Sequence, residues 1–123
     1  VRAFLERYMR VIIAGGRDFS DYQLLKDRVN YYMSNASDAV VICGEAKGAD
    51  LLGKNLAKEN EWLVKSFPAK WELHGKSAGY VRNKEMADNA DVLVAFWDGK
   101  SRGTANMVEI ARKKGLPVRV VRY

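Results

Sequence analysis

Apolar and polar positions along this chain follow two alternating periods. Runs of consecutive, mostly β-branched residues at Val11 to Ala14, Ala39 to Cys43, Trp62 to Ser66, Asp91 to Phe96 and Val118 to Val121 have the length of strands. Between them apolar residues recur at helical spacing. Leu25, Val29, Tyr32 and Met33 share one face of the first such stretch, and Ser20 with Gln23 is placed for a capping box at its start. Ala49, Leu52 and Leu56 mark a second helix, while Thr104, Met107, Val108 and Ala111 mark a fourth that Gly115 and Pro117 stop. The third, at about residues 77–89, is less clearly periodic.

Strand and helix in strict alternation, with short connections, predict an α/β fold: a five-stranded parallel sheet covered by helices on both faces, as a three-layer sandwich. Strands one, two and four are continuously apolar, as strands buried on both faces are. Strand three carries Lys65 and strand five carries Arg119 and Arg122, which marks these two as edges. Right-handed crossovers then favour the order 3-2-1-4-5, with a switch point between strands one and four. Residues 1–8 read as an N-terminal extension and residues 9–123 as one domain.

Three glycine-bearing segments follow strands and precede helices: Gly15-Gly16-Arg17-Asp18, Gly44-Glu45-Ala46-Lys47-Gly48, and the stretch from Asp98 through Gly99 to Gly103-Thr104. This places all of them on one rim of the sheet. Glycine lets an anion approach the backbone, and the helix start behind it supplies unpaired N–H groups and partial positive charge. A phosphate-bearing ligand is expected there, held by Gly15, Gly16, Arg17, Gly44, Lys47, Gly48, Gly99, Gly103 and Thr104. Thr104 has the plain alternative of an N-cap. Asp18 is placed either to hold a ribose hydroxyl or to cap its own turn. Glu45 is the most exposed carboxylate expected on the rim and is the candidate general base, whereas Asp50 reads as a charge at the start of the second helix.

The segment from Phe67 to Asn83 is the least ordinary, with a proline, Trp71, Tyr80 and the pair Arg82-Asn83. It is suited to a lid or wall on which Trp71 or Tyr80 stacks against a base while Arg82 forks onto a phosphate or ribose oxygen. For Trp71, packing in the core or a dimer is the stronger expectation, because aromatics are so often buried. His74 is the sole histidine and has no partner for acid–base or metal chemistry. No Walker A loop fits, since its first glycine would fall at Val94 inside a strand, and no dinucleotide fingerprint is present. No metal and no cofactor is expected.

Composition narrows the partners only slightly. A net charge of +6 suits an anionic ligand, yet no block of like charges forms a basic arm. The one cysteine, Cys43, sits in an apolar strand and is expected to face a reduced, cytoplasmic core. No apolar run approaches the ~20 residues of a membrane span.

Taken in order, Gly15-Gly16-Arg17-Asp18-Phe19, Gly44-Glu45-Ala46-Lys47-Gly48-Ala49-Asp50, Phe67 to Trp71, Gly75 to Met86 and Gly103 to Met107 resemble the YspA or YpsA-related branch of the SLOG superfamily. The resemblance runs from Val11 to Val121 and implies a Rossmann-like sheet, nucleotide-derived ligands, and members in bacteria and phages that sense signals in host–virus conflict. The branch typically has aspartate where Lys70 stands and proline where Tyr80 stands. A thinner likeness joins Arg82-Asn83-Lys84-Glu85-Met86 to the arginine motif of the Lonely Guy phosphoribohydrolases. Their catalytic glutamate falls at Met107, which cannot stabilise an oxocarbenium-like centre, and Glu109 is two places off.

The resemblance therefore implies first a homo-oligomeric protein that senses or sequesters an ADP-ribose-type or cyclic nucleotide signal. The alternative is an N-glycosidic hydrolase or transferase built on Glu45 and Arg82. A DNA-associated module comes third; with no strand-tracking groove of basic and aromatic residues readable, nucleic acid is the less expected partner.

Overall fold

The computed structural model describes residues 8–36 and 38–123, so residues 1–7 of the expected extension lie outside the described residues. The elements in order are β1 (Tyr8–Gly15), α1 (Tyr22–Tyr32), β2 (Asp38–Cys43), α2 (Ala49–Glu59), β3 (Leu63–Ser66), α3 (Trp71–His74), a 3-10 turn (Gly75–Ser77), α4 (Ala78–Asp88), β4 (Val92–Trp97), α5 (Arg102–Lys114) and β5 (Val118–Arg122). All strand pairs are parallel, in the order β3-β2-β1-β4-β5. This Rossmann-like α/β architecture is the one expected from the patterning. Lys65 and Arg119 are exposed on the two edge strands, where a charged side chain reaches water and discourages further strand pairing.

Successive residues of β1 point to opposite faces and build two separate core layers. Val11 and Ile13 join Val41, Val94 and Phe96 against Leu25 and Val29 of α1 and Leu56 of α2. Ile12 and Ala14 join Ile42, Leu93 and Ala95 against Met86 of α4 and Met107, Val108 and Ala111 of α5. Each central strand is therefore covered on both sides, which is why it reads as an unbroken apolar run.

Two local expectations are corrected. The start of α1 is capped by Asp21, whose Oδ1 accepts from the Leu24 amide at 3.0 Å, and not by a Ser20–Gln23 box. A carboxylate already stands one residue nearer the helix, so the Gln23 amide is left to donate to Asp27 four residues on. Strand three begins at Leu63, because the Trp62 amide still closes the end of α2 by donating to Ala57.

Asp91, just ahead of β4, fixes that strand against β1. Its Oδ2 accepts from the Arg10 amide at 2.9 Å, its Oδ1 from Arg10 Nη2 at 3.0 Å, and its own amide donates to the Arg10 carbonyl. These side-chain and backbone hydrogen bonds from Arg10 hold the Asp91 carboxyl below the usual carboxylate range. A depressed folded-state pKa stabilises at neutral pH, and that contribution is lost as pH falls below about 4. Asp91→Asn is therefore expected to cost about 1 kcal/mol at pH 7, after allowing for the pair's partial exposure. Urea denaturation should show the difference from wild type shrinking towards pH 3.

Candidate functional site

After β1 the chain turns to one face of the sheet, and after β4 to the other, leaving a crevice beyond their adjoining C-terminal ends. The Gly16 amide donates to the Phe96 carbonyl across that junction. A cavity of about 500 Å³ opens there. Its floor is Ala14, Met86 and Met107, and its rim comes from Gly15 to Asp18, from Ala46 and Asp50, from the segment between Trp71 and Asn83, and from Asp98, Ser101, Gly103 and Thr104. A second cavity of about 470 Å³ lies beside it over Gly44 to Lys47 and Pro68-Ala69, and shares Arg17, Ala46, Trp71 and Arg82 with the first.

The three glycine segments thus gather as expected, but the glycines do different things. Gly48 lines neither cavity. Its φ is +81°, and a Cβ on it would lie 2.2 Å from the Gly16 carbonyl oxygen and 2.8 Å from the Arg17 backbone. It is the point at which the first and second loops touch, and the Ala49 amide donates to the same Gly16 carbonyl. Gly99 also lies outside both cavities, against the Arg122 guanidinium. Gly44 belongs to the second cavity, where the ends of Arg82 and Asp50 occupy the space a side chain would fill. Gly103 leaves open space.

Several loop amides are already taken by the protein's own oxygens. Asp98 Oδ1 accepts from the Lys100 and Ser101 amides, both at 2.8 Å, and those bonds hold its carboxyl low. Ser101 is the N-cap of α5, and its Oγ accepts from the Thr104 amide at 3.4 Å and pairs with Thr104 Oγ1 at 3.1 Å. Thr104 is thus the third helical residue, and of the two donors expected from it only the hydroxyl has a choice of partner. This narrows the picture of three loops offering amides around one anion. At α5 the amides of Arg102 and Gly103 are left without an intrahelical acceptor, and Arg17, Lys76 and Arg82 supply the full positive charges of the first cavity.

Arg82 is held from two sides. Its Nη1 donates to the Gly44 carbonyl and its Nε to Asn83 Oδ1 at 3.0 Å. The buried Asn83 amide reaches across to Asn106 Oδ1 at 2.9 Å and to the Gly103 carbonyl at 3.4 Å, which ties α4 to the start of α5. Asn83 therefore positions both the arginine and the helix terminus.

The carboxylates sort by their partners. Glu45 adopts φ of 62°, and its side chain receives Ser66 Oγ at 2.7 Å and Lys54 Nζ at 3.0 Å, which lower its pKa. It lines the second cavity and not the first, so the candidate general base does not face the main cavity. Asp18 lines the first cavity with Oδ1 accepting from the Tyr123 hydroxyl at 2.7 Å. Asp50 is 6% exposed, and burial pushes its carboxyl up to about 6 against the opposing Ala46 amide and Arg82. Cys43 is buried beneath, its thiol pushed up to about 12 chiefly by burial, which makes it an unreactive core residue.

Trp71 and Tyr80 are 55% and 50% exposed at the cavity mouth, so packing of Trp71 in the core of this chain is ruled out. A short helix on the rim gives it no second layer to bury against. His74 lines neither cavity. Among the described residues no group of three or more His, Cys, Asp or Glu side chains is gathered for a metal. No described helix is long and apolar enough to cross a membrane. Met107 lies in the cavity floor, while Glu109 points to solvent and pairs with Lys113 at 2.9 Å. Sequence reasoning gave no site role to Asp50 or Lys76. The string Gly48-Ala49-Asp50 does place a carboxylate in the first turn of a helix behind a loop, but its burial and its neighbour Arg82, 32 residues on, are not visible in that string.

Comparison with known proteins bears on this geometry. A family model for the YspA, cpYpsA-related SLOG family matches residues 9–74, which cover the first two glycine loops and end before Arg82. Gene 61 protein of Mycobacterium phage D29 is 35% identical over 120 residues, covering 89% of this chain and 93% of that protein. DNA processing protein A (DprA) from Streptococcus pneumoniae superimposes with a TM-score of 0.73 at 14% identity, over 98% of this chain and 52% of its own. DNA processing protein A from Helicobacter pylori, whose structure concerns single-stranded DNA binding, superimposes with a TM-score of 0.67 at 18% identity, over 100% of this chain and 69% of its own. The chain thus spans about half the length of the Streptococcus protein, and these two likenesses establish the fold.

Proposed function

The chain belongs to the YspA, cpYpsA-related SLOG family, and from that premise we propose that it binds a nucleotide-derived small molecule at the sheet's switch point, as a sensor or a sequestering protein. One observation carries this reading. The cavity of about 500 Å³ combines an apolar floor, half-exposed Trp71 and Tyr80, Arg82 held by Gly44 and Asn83, and the open first turn of α5. An aromatic mouth suits a base, and an oriented guanidinium beside a helix N-terminus suits a phosphate. The volume falls in the range of small-ligand sites. Gly15, Gly16, Arg17, Asp18, Gly103 and Thr104 stand around the same space and belong to the proposed site. Self-association belongs to the same reading, and light scattering tests it.

Hydrolysis of an N-glycosidic bond is the weaker reading, because Glu45 is engaged with Lys54 and Ser66 outside the main cavity and a thioether stands at position 107. Binding of single-stranded DNA is favoured by the fold likeness to a DNA-binding protein, by the net charge of +6 and by exposed Trp71, Leu73 and Tyr80.

A single experiment separates the three. The pure protein is incubated with nucleotides and nucleotide signals, and the mixture is chromatographed before and after heat denaturation. A compound that disappears and returns intact identifies a sequestered ligand, whereas free base with ribose phosphate identifies a hydrolase. Salt-sensitive mobility shifts of single-stranded DNA, with no nucleotide retained, would replace the small-molecule reading.

A further inference from the structure

We propose that Asp50 is the specificity-determining residue of the main cavity: its carboxylate accepts the ribose hydroxyls of the ligand and so selects ribo- over deoxyribonucleotides. This rests on the nucleotide-binding reading above. Three aspartates line the cavity: Asp18, Asp50 and Asp98. Asp98 is used by two amides of its own loop, and Asp18 by the Tyr123 hydroxyl. The Asp50 carboxylate has a single hydrogen bond, from the Ala46 amide to Oδ2 at 3.3 Å. An ionised carboxylate has about four acceptor sites, and burying it with one long bond leaves it short of partners. No buried side-chain oxygen among the described residues lacks a partner once its surface is closed, so the second oxygen of Asp50 keeps its small exposure, and the residue borders the cavity.

The neighbour of Asp50 indicates which donors it meets. Asp50 Oδ2 and Arg82 Nη1 each lie 2.7 Å from the point a Gly44 Cβ would occupy, hence within twice that distance of each other. If Arg82 takes the phosphate, the donors beside it are those of the sugar, since the ribose separates the phosphate from the base edge. A carboxylate paired with ribose hydroxyls is an established mode of nucleotide recognition. Accepting hydroxyl protons at both oxygens at once needs the ionised form, since protonation turns one oxygen into a donor. The charged or titratable groups facing Asp50 are Arg82 from α4, Glu45 from the loop after β2 and Cys43 from β2, whose thiol stays protonated. With the carboxyl pushed up to about 6 by burial, selectivity is present at pH 8 and fades by pH 5.

The test uses the four ribonucleoside 5′-diphosphates and their 2′-deoxy counterparts, with affinity measured by calorimetry at pH 8 and pH 5. The expected result is a ribo preference of at least about tenfold at pH 8, as the loss of a hydrogen bond to a charged group implies. It should be reduced to within about twofold at pH 5, and equally reduced at pH 8 in Asp50→Asn. Should the variant not fold, the wild-type pH profile alone decides. Equal affinity for both sugars at pH 8, or a preference that survives pH 5 or the substitution, overturns the assignment of Asp50 while leaving nucleotide binding intact. Failure of all eight diphosphates to bind wild type overturns the Asp50 assignment, and the wider panel of nucleotides and nucleotide signals above then decides nucleotide binding itself.

Discussion

Gly48→Ala is expected to lower the stability of the free protein by about 3 kcal/mol or more. Two costs add at this position. The backbone stands at φ of +81° and ψ of −129°, outside the left-handed helical region, where an L-residue is disfavoured by about 1–3 kcal/mol. The new Cβ would also sit 2.2 Å from the Gly16 carbonyl oxygen and 2.8 Å from two backbone atoms of Arg17. These are main-chain atoms, so no flexible side-chain tip can yield. One of the two loops must move, and the bonds of the Phe19 and Ala49 amides to that same carbonyl go with it. Thermal unfolding should show a fall of about 12 °C, at roughly 4 °C per kcal/mol for a domain of this size. The control is Gly103→Ala, where a Cβ meets nothing within 4 Å and the residue is helical. There alanine should be neutral or stabilising by about 0.5 kcal/mol. A variant at position 48 as stable as that control would contradict the account of how the first two loops are joined.

That contrast between two glycines also shows what the chain makes legible and what it does not. Strand order could be read because burial on both faces leaves a one-dimensional trace: β1, β2 and β4 each contain a run of at least four consecutive apolar residues, while Lys65 and Arg119 betray the edges. The rim could be read because glycine loops after strands one, two and four must share one end of a parallel sheet. The roles of individual residues could not, because each depends on a partner far away in sequence. Gly48 answers to Gly16, Asp18 to Tyr123, and Glu45 to Lys54 and Ser66. Asp50 looked like a helix-start charge and is one, yet α4 folds Arg82 over it and makes it the main cavity's least satisfied carboxylate. Trp71 misled in the opposite direction. Tryptophan is usually buried, but a four-residue helix on the rim cannot enclose it.

Arg82→Ala is expected to weaken nucleotide binding by about a hundredfold while leaving a folded protein. The binding loss corresponds to removing a fork of charge-assisted hydrogen bonds to a phosphate, about 3 kcal/mol. The folded state loses only the bonds to the Gly44 carbonyl and to Asn83 Oδ1, about 1 kcal/mol for a part-buried site. Arg82→Lys tests geometry apart from charge. A lysine keeps the positive charge but cannot hold Gly44 and Asn83 at once and still present a planar fork, so most of the affinity should be lost there too.

The same substitution has a signature in stability against pH. Arg82 favours the ionised form of Asp50, so its removal moves that carboxyl further above its unfolded value. A raised carboxyl favours the folded state at low pH and penalises it as pH rises through the folded pKa. The deficit of Arg82→Ala relative to wild type should therefore be larger at pH 8 than at pH 5. Urea denaturation at the two values measures it, in the absence of ligand. An equal deficit at both would separate Arg82 from Asp50 electrostatically, and undiminished ligand-induced stabilisation in the variant would remove Arg82 from the site. The two measurements fail independently, because the first concerns the empty cavity and the second the occupied one.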